Sequence, residues 1–262
     1  MKTYGRTDTG RVRPTNQDAY VCGHLSDRAV FAVVCDGMGG ANGGNIASAI
    51  AVKVISDRIV TGYRDGMAEP SIHNLFETAI SAANVEIYDA ACADPELRGM
   101  GTTVVAAILT ADTAYIAHVG DSRAYRLTAD ERTIEQVTKD HSVVQAMVEK
   151  GQLTQNEAKN HPRKHFITRA LGVEETVECD YTVLTIEAGE LLLICTDGLT
   201  NMVETDDIKT AIFSSGMEEA ADRLIAAANM QGGSDNITVA LLLADTPAPL
   251  PVDERMDLTY DG

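Results

Sequence analysis

The chain has no tryptophan, only 8 Tyr and 4 Phe in 262 residues, and no long apolar run. Nothing approaches the ~18 consecutive apolar residues of a membrane-spanning helix, so no membrane span is expected. Positive charge is scarce: 21 Lys and Arg stand against 39 Asp and Glu, a formal net charge of −18. A nucleic-acid groove needs clustered Lys and Arg to displace counterions, and anionic lipid attracts the same residues. Both partner classes are excluded on that ground. Cysteine is sparse too, and Cys22, Cys35, Cys92, Cys179 and Cys195 form no C-x-x-C pair. That excludes a disulfide framework and a zinc knuckle. Four of the five sit in or beside apolar runs, where a free thiol behaves as a small hydrophobe. Met1 to Tyr20 is polar and lacks the apolar stretch of a signal peptide. The expected location is a reduced cytoplasm.

What is present is a foldable globular composition, 45% hydrophobic. At roughly 150 residues per domain the length allows one large domain or two small ones. Val30–Cys35, Val104–Leu109, Ala114–Val119, Leu191–Cys195 and Ile237–Leu243 are short apolar runs bounded by turn residues, which predicts buried strands. Ile46, Ala47, Ile50, Ala51, Val54 and Ile55 recur at helical spacing. So do Ile72, Phe76, Ala79, Ile80, Ala83 and Ile87, with Ser71 as the expected N-cap after Pro70. Ala220, Ala221, Leu224, Ile225 and Ala228 predict a third helix. Only Ala-Asp-Thr separates the Val104 and Ala114 runs, and Ser122–Leu127 and Thr133–Val137 flank another short turn. Such links imply antiparallel hairpins, which favours an α+β layered domain over a doubly wound fold. Residues 139–172 are polar, break the strand pattern and suggest a small helical hairpin. Residues 246–262 carry Pro247, Pro249 and Pro251 and read as a loosely packed acidic tail after a domain spanning 1–245.

The sharpest chemical signal is aspartate at strand ends. Asp36 and Asp197 follow apolar runs and precede Gly, Asp121 follows Val119-Gly120, and Asp18 and Asp235 lie at or just before strand starts. One such residue is ordinarily a turn former or a cap. Five whose strand ends converge would be costly without compensating positive charge. The simplest compensation is a metal ion, and all-oxygen ligation selects Mg²⁺ or Mn²⁺ over zinc or copper. A carboxylate shared by two such ions gives the arrangement that activates water for phosphoryl chemistry.

These residues lie in motifs that run in a recognisable order: RPTNQDAY (Arg13–Tyr20), CDGMGG (Cys35–Gly40), GTT (Gly101–Thr103) and GDSRAY (Gly120–Tyr125). TKDHS (Thr138–Ser142), TRALG (Thr168–Gly172), CTDGL (Cys195–Leu199) and SDNITV (Ser234–Val239) complete the set. On them the chain resembles the PPM-type (type 2C) metal-dependent protein serine/threonine phosphatases of bacterial kind. The resemblance implies a four-layer α-β-β-α sandwich of two antiparallel sheets flanked by helices. It implies an enzyme that hydrolyses phosphoserine and phosphothreonine by direct attack of a metal-bridging hydroxide, opposing a Ser/Thr kinase in signalling. Asp36 then bridges two ions, the Gly37 carbonyl touches the second, and Asp197 and Asp235 complete the first site, with Asp18 reached directly or through water. Asp121 with Asp197 matches a third-ion position, and Arg13 matches the arginine that grips the substrate phosphate, a task suited to a planar fork. The implied partners are phosphorylated proteins and a cognate kinase, with a monomeric enzyme.

Two departures from the family pattern stand out. Met38 occupies the place of the histidine proposed as proton donor in animal members, and Gln17 stands where many members have Glu. His161, Arg163, Lys164, His165 and Arg169 make a basic cluster within 139–172 that matches the family's flap beside the active site, and His165 is its candidate substrate or third-ion contact. The glycines Gly39, Gly40, Gly43 and Gly44 lack the Gly-Lys-Ser/Thr of a P-loop and are expected to serve close backbone packing. His118 lies in a strand and is expected to be a hydrogen-bonded core or rim residue. Two rival functions remain: a catalytically weak phosphatase-fold binding module, which predicts lost aspartates, and a two-metal phosphodiesterase, which the charge disfavours for nucleic acid.

Overall fold

A strand that is apolar at every position needs a partner on each face. In the computed structural model, which describes residues 1–39, 43–128, 132–214 and 216–244, every such strand has both. The strands are β1 (Lys2–Asp8), β2 (Asp18–Ser26), β3 (Ala29–Met38), β4 (Gly101–Thr102) and β5 (Val104–Leu109). They continue with β6 (Thr113–Val119), β7 (Arg123–Thr128), β8 (Thr133–Gln136), β9 (Asp180–Thr185), β10 (Leu191–Cys195) and β11 (Ile237–Leu243). One antiparallel sheet has the order β1-β11-β10-β7-β8, and the other has β2-β3-β5-β6-β9 with β4 beside β3.

Alternation sorts the side chains into three apolar layers. Ala29, Phe31, Val33 and Cys35 of β3 pack with α1 (Gly43–Gly62) and α2 (Glu69–Ala93). Val30, Ala32 and Val34 of the same strand meet Leu192, Ile194, Ala240 and Leu242 of the opposite sheet. Leu191, Leu193 and Cys195 pack against Ile208 of α6 (Thr205–Phe213) and Leu224 of α7 (Met217–Met230). The result is the expected α-β-β-α sandwich. Residues 139–172 carry α3 (Val143–Glu149) and α4 (Gln155–Lys159), the expected helical hairpin, and Asp197–Thr200 forms the short α5.

One boundary differs from expectation. The second helix begins at Glu69 with Ala68 as its N-cap, not at Ser71. Pro70 lies within the first turn, where its missing N–H is no loss, so the helix gains a turn ahead of Ser71. The 246–262 tail lies outside the described residues. Among those described, no helix is long and apolar enough to cross a membrane.

The topology has one consequence for chemistry. Antiparallel neighbours put the end of β3, the start of β2, the end of β6, the end of β10 and the start of β11 at one edge of the sandwich. The inter-sheet layer that fixes this edge should be sensitive to truncation. Ile194→Ala, at a fully buried position between the sheets, is expected to cost about 2–5 kcal/mol in denaturant unfolding. A loss below about 1 kcal/mol would mean that the sheets do not pack tightly there.

Candidate active site

Backbone pairing builds the site. Asp18 and Asp36 are directly opposed in the β2–β3 ladder, so two carboxylates are adjacent by register alone. The Asp36 backbone is clamped by the GTT segment. Its N–H donates to Thr103 Oγ1 at 3.0 Å, and its carbonyl accepts from Thr102 Oγ1 at 2.8 Å and from the Thr103 N–H at 2.9 Å. Gly37 must be glycine, because a Cβ there would strike the carbonyls of Gly44 and Gln17. This is the close backbone packing expected of the glycine cluster, with Gly40 outside the described residues. Asp197 follows β10 and accepts a hydrogen bond from Asn201 Nδ2 at 2.8 Å. Asp235 precedes β11, where its Oδ2 accepts from the Arg13 guanidinium at 2.8 Å.

Asp18 is held by one oxygen only. Its Oδ2 accepts from Thr196 Oγ1 at 2.9 Å and Thr238 Oγ1 at 2.6 Å, while its buried Oδ1 has no hydrogen-bond partner. Each hydroxyl has a single proton, so the direction of the network is set. Thr238 donates to Asp18 and must accept from Thr7, which lies 2.8 Å away and accepts in turn from Asn16. A buried acceptor left open, beside other carboxylates, is the signature of a site shaped for a cation.

The electrostatics agree. Desolvation pushes the Asp18 carboxyl up to about 7, against hydrogen bonds from Thr238 and Thr196 that pull it down. Asp36 is raised well above the usual carboxylate range by desolvation and then by the charges of Asp18, Asp197 and Asp121. Asp121 is pushed up to about 8 by desolvation, Asp197 and Asp140, with Arg123 offsetting part of the rise. Desolvation and Asp235 raise Asp197, while the positive form of His165 works the other way. These groups resist ionisation together because fixed positive charge is short in supply. An all-oxygen donor set with one open buried acceptor fits a hard divalent cation.

All the anticipated site residues gather here. Arg13, Asp36, Gly37, Asp121, His165, Asp197 and Asp235 line one open pocket of about 640 Å³, which also includes Met38 and Gln17. Asp18 lies beneath it through its pairing with Asp36. Arg13 is half exposed and gives one guanidinium nitrogen to Asp235. It therefore sits on the acidic cluster as an ion-pair partner, in reach of any anion entering the pocket.

Two contributions escaped the sequence. Asn236 fastens the Arg13 segment: its Oδ1 accepts from the Gln17 N–H at 2.8 Å, and its Nδ2 donates to the carbonyls of Thr9 and Thr15 at 2.9 and 3.0 Å. Its place beside Asp235 was the only hint. The second is the group His118, His141 and Asp180, whose donor atoms lie within 4.8 Å of one another. His118 is buried, with Nε2 on the Lys139 carbonyl at 2.9 Å, as expected of a core or rim histidine. His141 Nδ1 accepts from the Gly120 N–H at 3.1 Å, and Arg169 already lies on Asp180 at 2.7 Å. This group is a brace between the 139–172 segment and the Asp121 turn.

Comparison with known proteins points the same way. The family model described as "Protein phosphatase 2C" matches residues 11–237. The chain belongs to the protein phosphatase 2C family. This metal-dependent protein phosphatase is 41% identical over 238 residues to a protein of Listeria innocua named serine/threonine phosphatase stp, covering 90% of this chain and 93% of that one. The crystal structure of the Mycobacterium tuberculosis serine/threonine phosphatase PstP/Ppp superposes with a TM-score of 0.83 at 33% identity, covering 93% of this chain and 98% of that one. A PstP catalytic domain in complex with two manganese ions gives 0.79 at 33% identity, covering 92% and 96%.

The raised carboxylates make a thermodynamic prediction for the phosphatase. With folded pKa values of about 7 for Asp18 and about 8 for Asp121, against an unfolded value of about 4, their contribution to stability is complete below about pH 4. It disappears as pH climbs through the folded values. Chelated protein should therefore lose Tm between about pH 5 and 8, and saturating Mn²⁺ should remove most of that slope. Asp121→Asn, which carries no charge at any pH, should flatten the chelated profile. A chelated Tm that rises across this window in thermal melts would contradict the clustered-carboxylate picture.

Proposed function

We propose that this phosphatase removes phosphate from phosphoserine and phosphothreonine in proteins. In this reading Asp36, Asp197, Asp235, Asp18 and the Gly37 carbonyl hold two ions, Mn²⁺ or Mg²⁺, and Asp121 with Asp197 holds a third. The observation that carries the reading is the gathering of four desolvated carboxylates, Asp18, Asp36, Asp121 and Asp197, with the partly exposed Asp235, at an open pocket whose rim presents the Arg13 guanidinium. Divalent ions, when bound, supply charge neutralisation at the phosphoryl oxygens and a lowered pKa for water.

The chain's own residues do the rest. Asp36, clamped by Thr102 and Thr103, is fixed where it can be shared between ions. Arg13 is placed to exchange Asp235 for two phosphoryl oxygens, since a guanidinium binds such pairs in parallel. Met38 lines the pocket but has no proton to give to the leaving serine or threonine oxygen, and a metal-bound water is the simpler donor. An aspartyl-phosphate route is disfavoured for the same reason, as it wants a carboxylate at position 38. His165 stands exposed at the pocket, placed to touch substrate, and residues 139–172 act as a flap. We further assign a cytoplasmic, monomeric enzyme acting on phosphorylated proteins and opposing a Ser/Thr kinase.

Hydrolysis of phosphoserine and phosphothreonine peptides should vanish on chelation and return with Mn²⁺, and full activity in chelated protein would overturn the reading. Asp36→Asn should abolish turnover. Asp121→Asn should keep the core pair while slowing catalysis. Calorimetric titration with wild-type stoichiometry and wild-type rates for Asp121→Asn would reject its role.

Arg13→Ala should lower kcat/KM by about tenfold to a hundredfold, the worth of one or two charge-assisted hydrogen bonds. Its half-exposed ion pair with Asp235 contributes at most about 1 kcal/mol, so Tm should hardly move. Arg13→Lys should restore only part of the loss, because a point charge cannot hold two oxygens at once. Unchanged kcat/KM in Arg13→Ala would refute the assignment.

A further inference from the structure

Large apolar side chains stand exposed at six positions among the described residues, and three of these border the catalytic end. Val12 is next to Arg13, Phe166 is next to His165, and Val173 lies in a second groove. That groove, of about 380 Å³, shares Met38 and Ile167 with the catalytic pocket, so the two adjoin. Besides Met38, its lining includes Val173, Val177, Glu174 and Glu178. Its wall is held from beneath by the buried Asn84. The Asn84 Nδ2 donates to the carbonyls of Glu174 and Glu175 at 3.0 Å, and its Oδ1 accepts from the Gly172 N–H at 2.8 Å. The groove is thus preformed.

Its charge is one-sided. Arg169 also lines it, but Asp180 neutralises that guanidinium at 2.7 Å. Glu174 and Glu178 are exposed, and neither carboxylate has a basic partner among the described residues. A lining of apolar side chains with two unpaired acids complements an apolar side chain followed by a cationic one.

We propose that this groove is the subsite for the polypeptide flanking the phosphorylated residue, and that it selects an apolar side chain followed by lysine or arginine. The proposal rests on the phosphoprotein reading above. Met38 is two residues beyond Asp36 on β3, about 7 Å along an extended strand. The apolar side chain therefore falls about two residues from the phosphoresidue, and the basic one a residue or two further.

The test uses the Mn²⁺-loaded full chain and matched phosphothreonine peptides. These carry Leu then Arg, Leu then Glu, or Ala then Ala, on either side of the phosphothreonine, with p-nitrophenyl phosphate as a reference too small to reach the groove. Wild type should favour Leu-Arg over Leu-Glu by about three- to tenfold in kcat/KM on one side, chiefly through KM. The double variant Glu174→Gln/Glu178→Gln should erase the preference, and Glu174→Lys/Glu178→Lys should invert it. Both variants should hydrolyse p-nitrophenyl phosphate at the wild-type rate. Equal rates on all peptides, or a preference that survives charge reversal, would overturn the groove while leaving the phosphatase reading intact. Failure of wild type to hydrolyse any phosphopeptide would instead overturn both.

Discussion

Carboxylate repulsion is the constraint around which this protein is arranged. Asp18 and Asp36 face each other by strand register, and Asp121, Asp197 and Asp235 arrive at the same edge from other strands. Holding them there requires a framework stiffer than the repulsion, and the packed inter-sheet layer with its Val, Ala, Leu and Ile side chains is that framework. The hydroxyl network beneath serves the same end. Thr196 and Thr238 spend their protons on one oxygen of Asp18 and leave the other open. Stability is sacrificed locally so that a cation is needed, a familiar trade at functional sites.

The same antiparallel geometry explains how the site is divided between elements. The β2–β3 hairpin contributes a carboxylate pair, and β10 and β11 of the other sheet contribute Asp197 and Asp235. The two sheets must therefore be packed in one relative position for all of the carboxylates to meet. Gly37 and the threonines of the GTT segment tune that meeting at the scale of single contacts. The 139–172 segment is joined to it through His141, which bonds the Gly120 backbone by both its amide and its ring.

Much of this was legible beforehand, and the reason differs from element to element. Unbroken apolar runs such as Val104–Leu109 and Leu191–Cys195 coincide with β5 and β10 because burial on both faces leaves no ambiguity about their place. Aspartates at the ends of such runs pointed to the site, and the motif order pointed to the family. The edge strands β1 and β9 were not visible. Lys2–Asp8 is mixed in polarity and half exposed, and its strand character comes from pairing with β11, a partner far along the chain. His141, Arg169 and Asp180 are spread over three segments, so nothing local marks them as a brace. Asn236 was hidden for another reason: its work is to hold a backbone loop, and side chains of that kind leave no periodic trace.

The place of β1 has a temporal consequence. It lies at the edge of its sheet, and among the described residues its one strand neighbour is β11, with Lys2 opposite Leu243. During synthesis the first strand must therefore wait for nearly the whole chain, on the order of ten to fifty seconds at ribosomal elongation rates. Only when β11 slides between β1 and β10 does Asp235 join the other carboxylates. On the proposed role of Asp235, catalytic competence is thus among the last properties a newborn molecule acquires, and a ribosome-bound fragment cannot begin stripping phosphate from its surroundings.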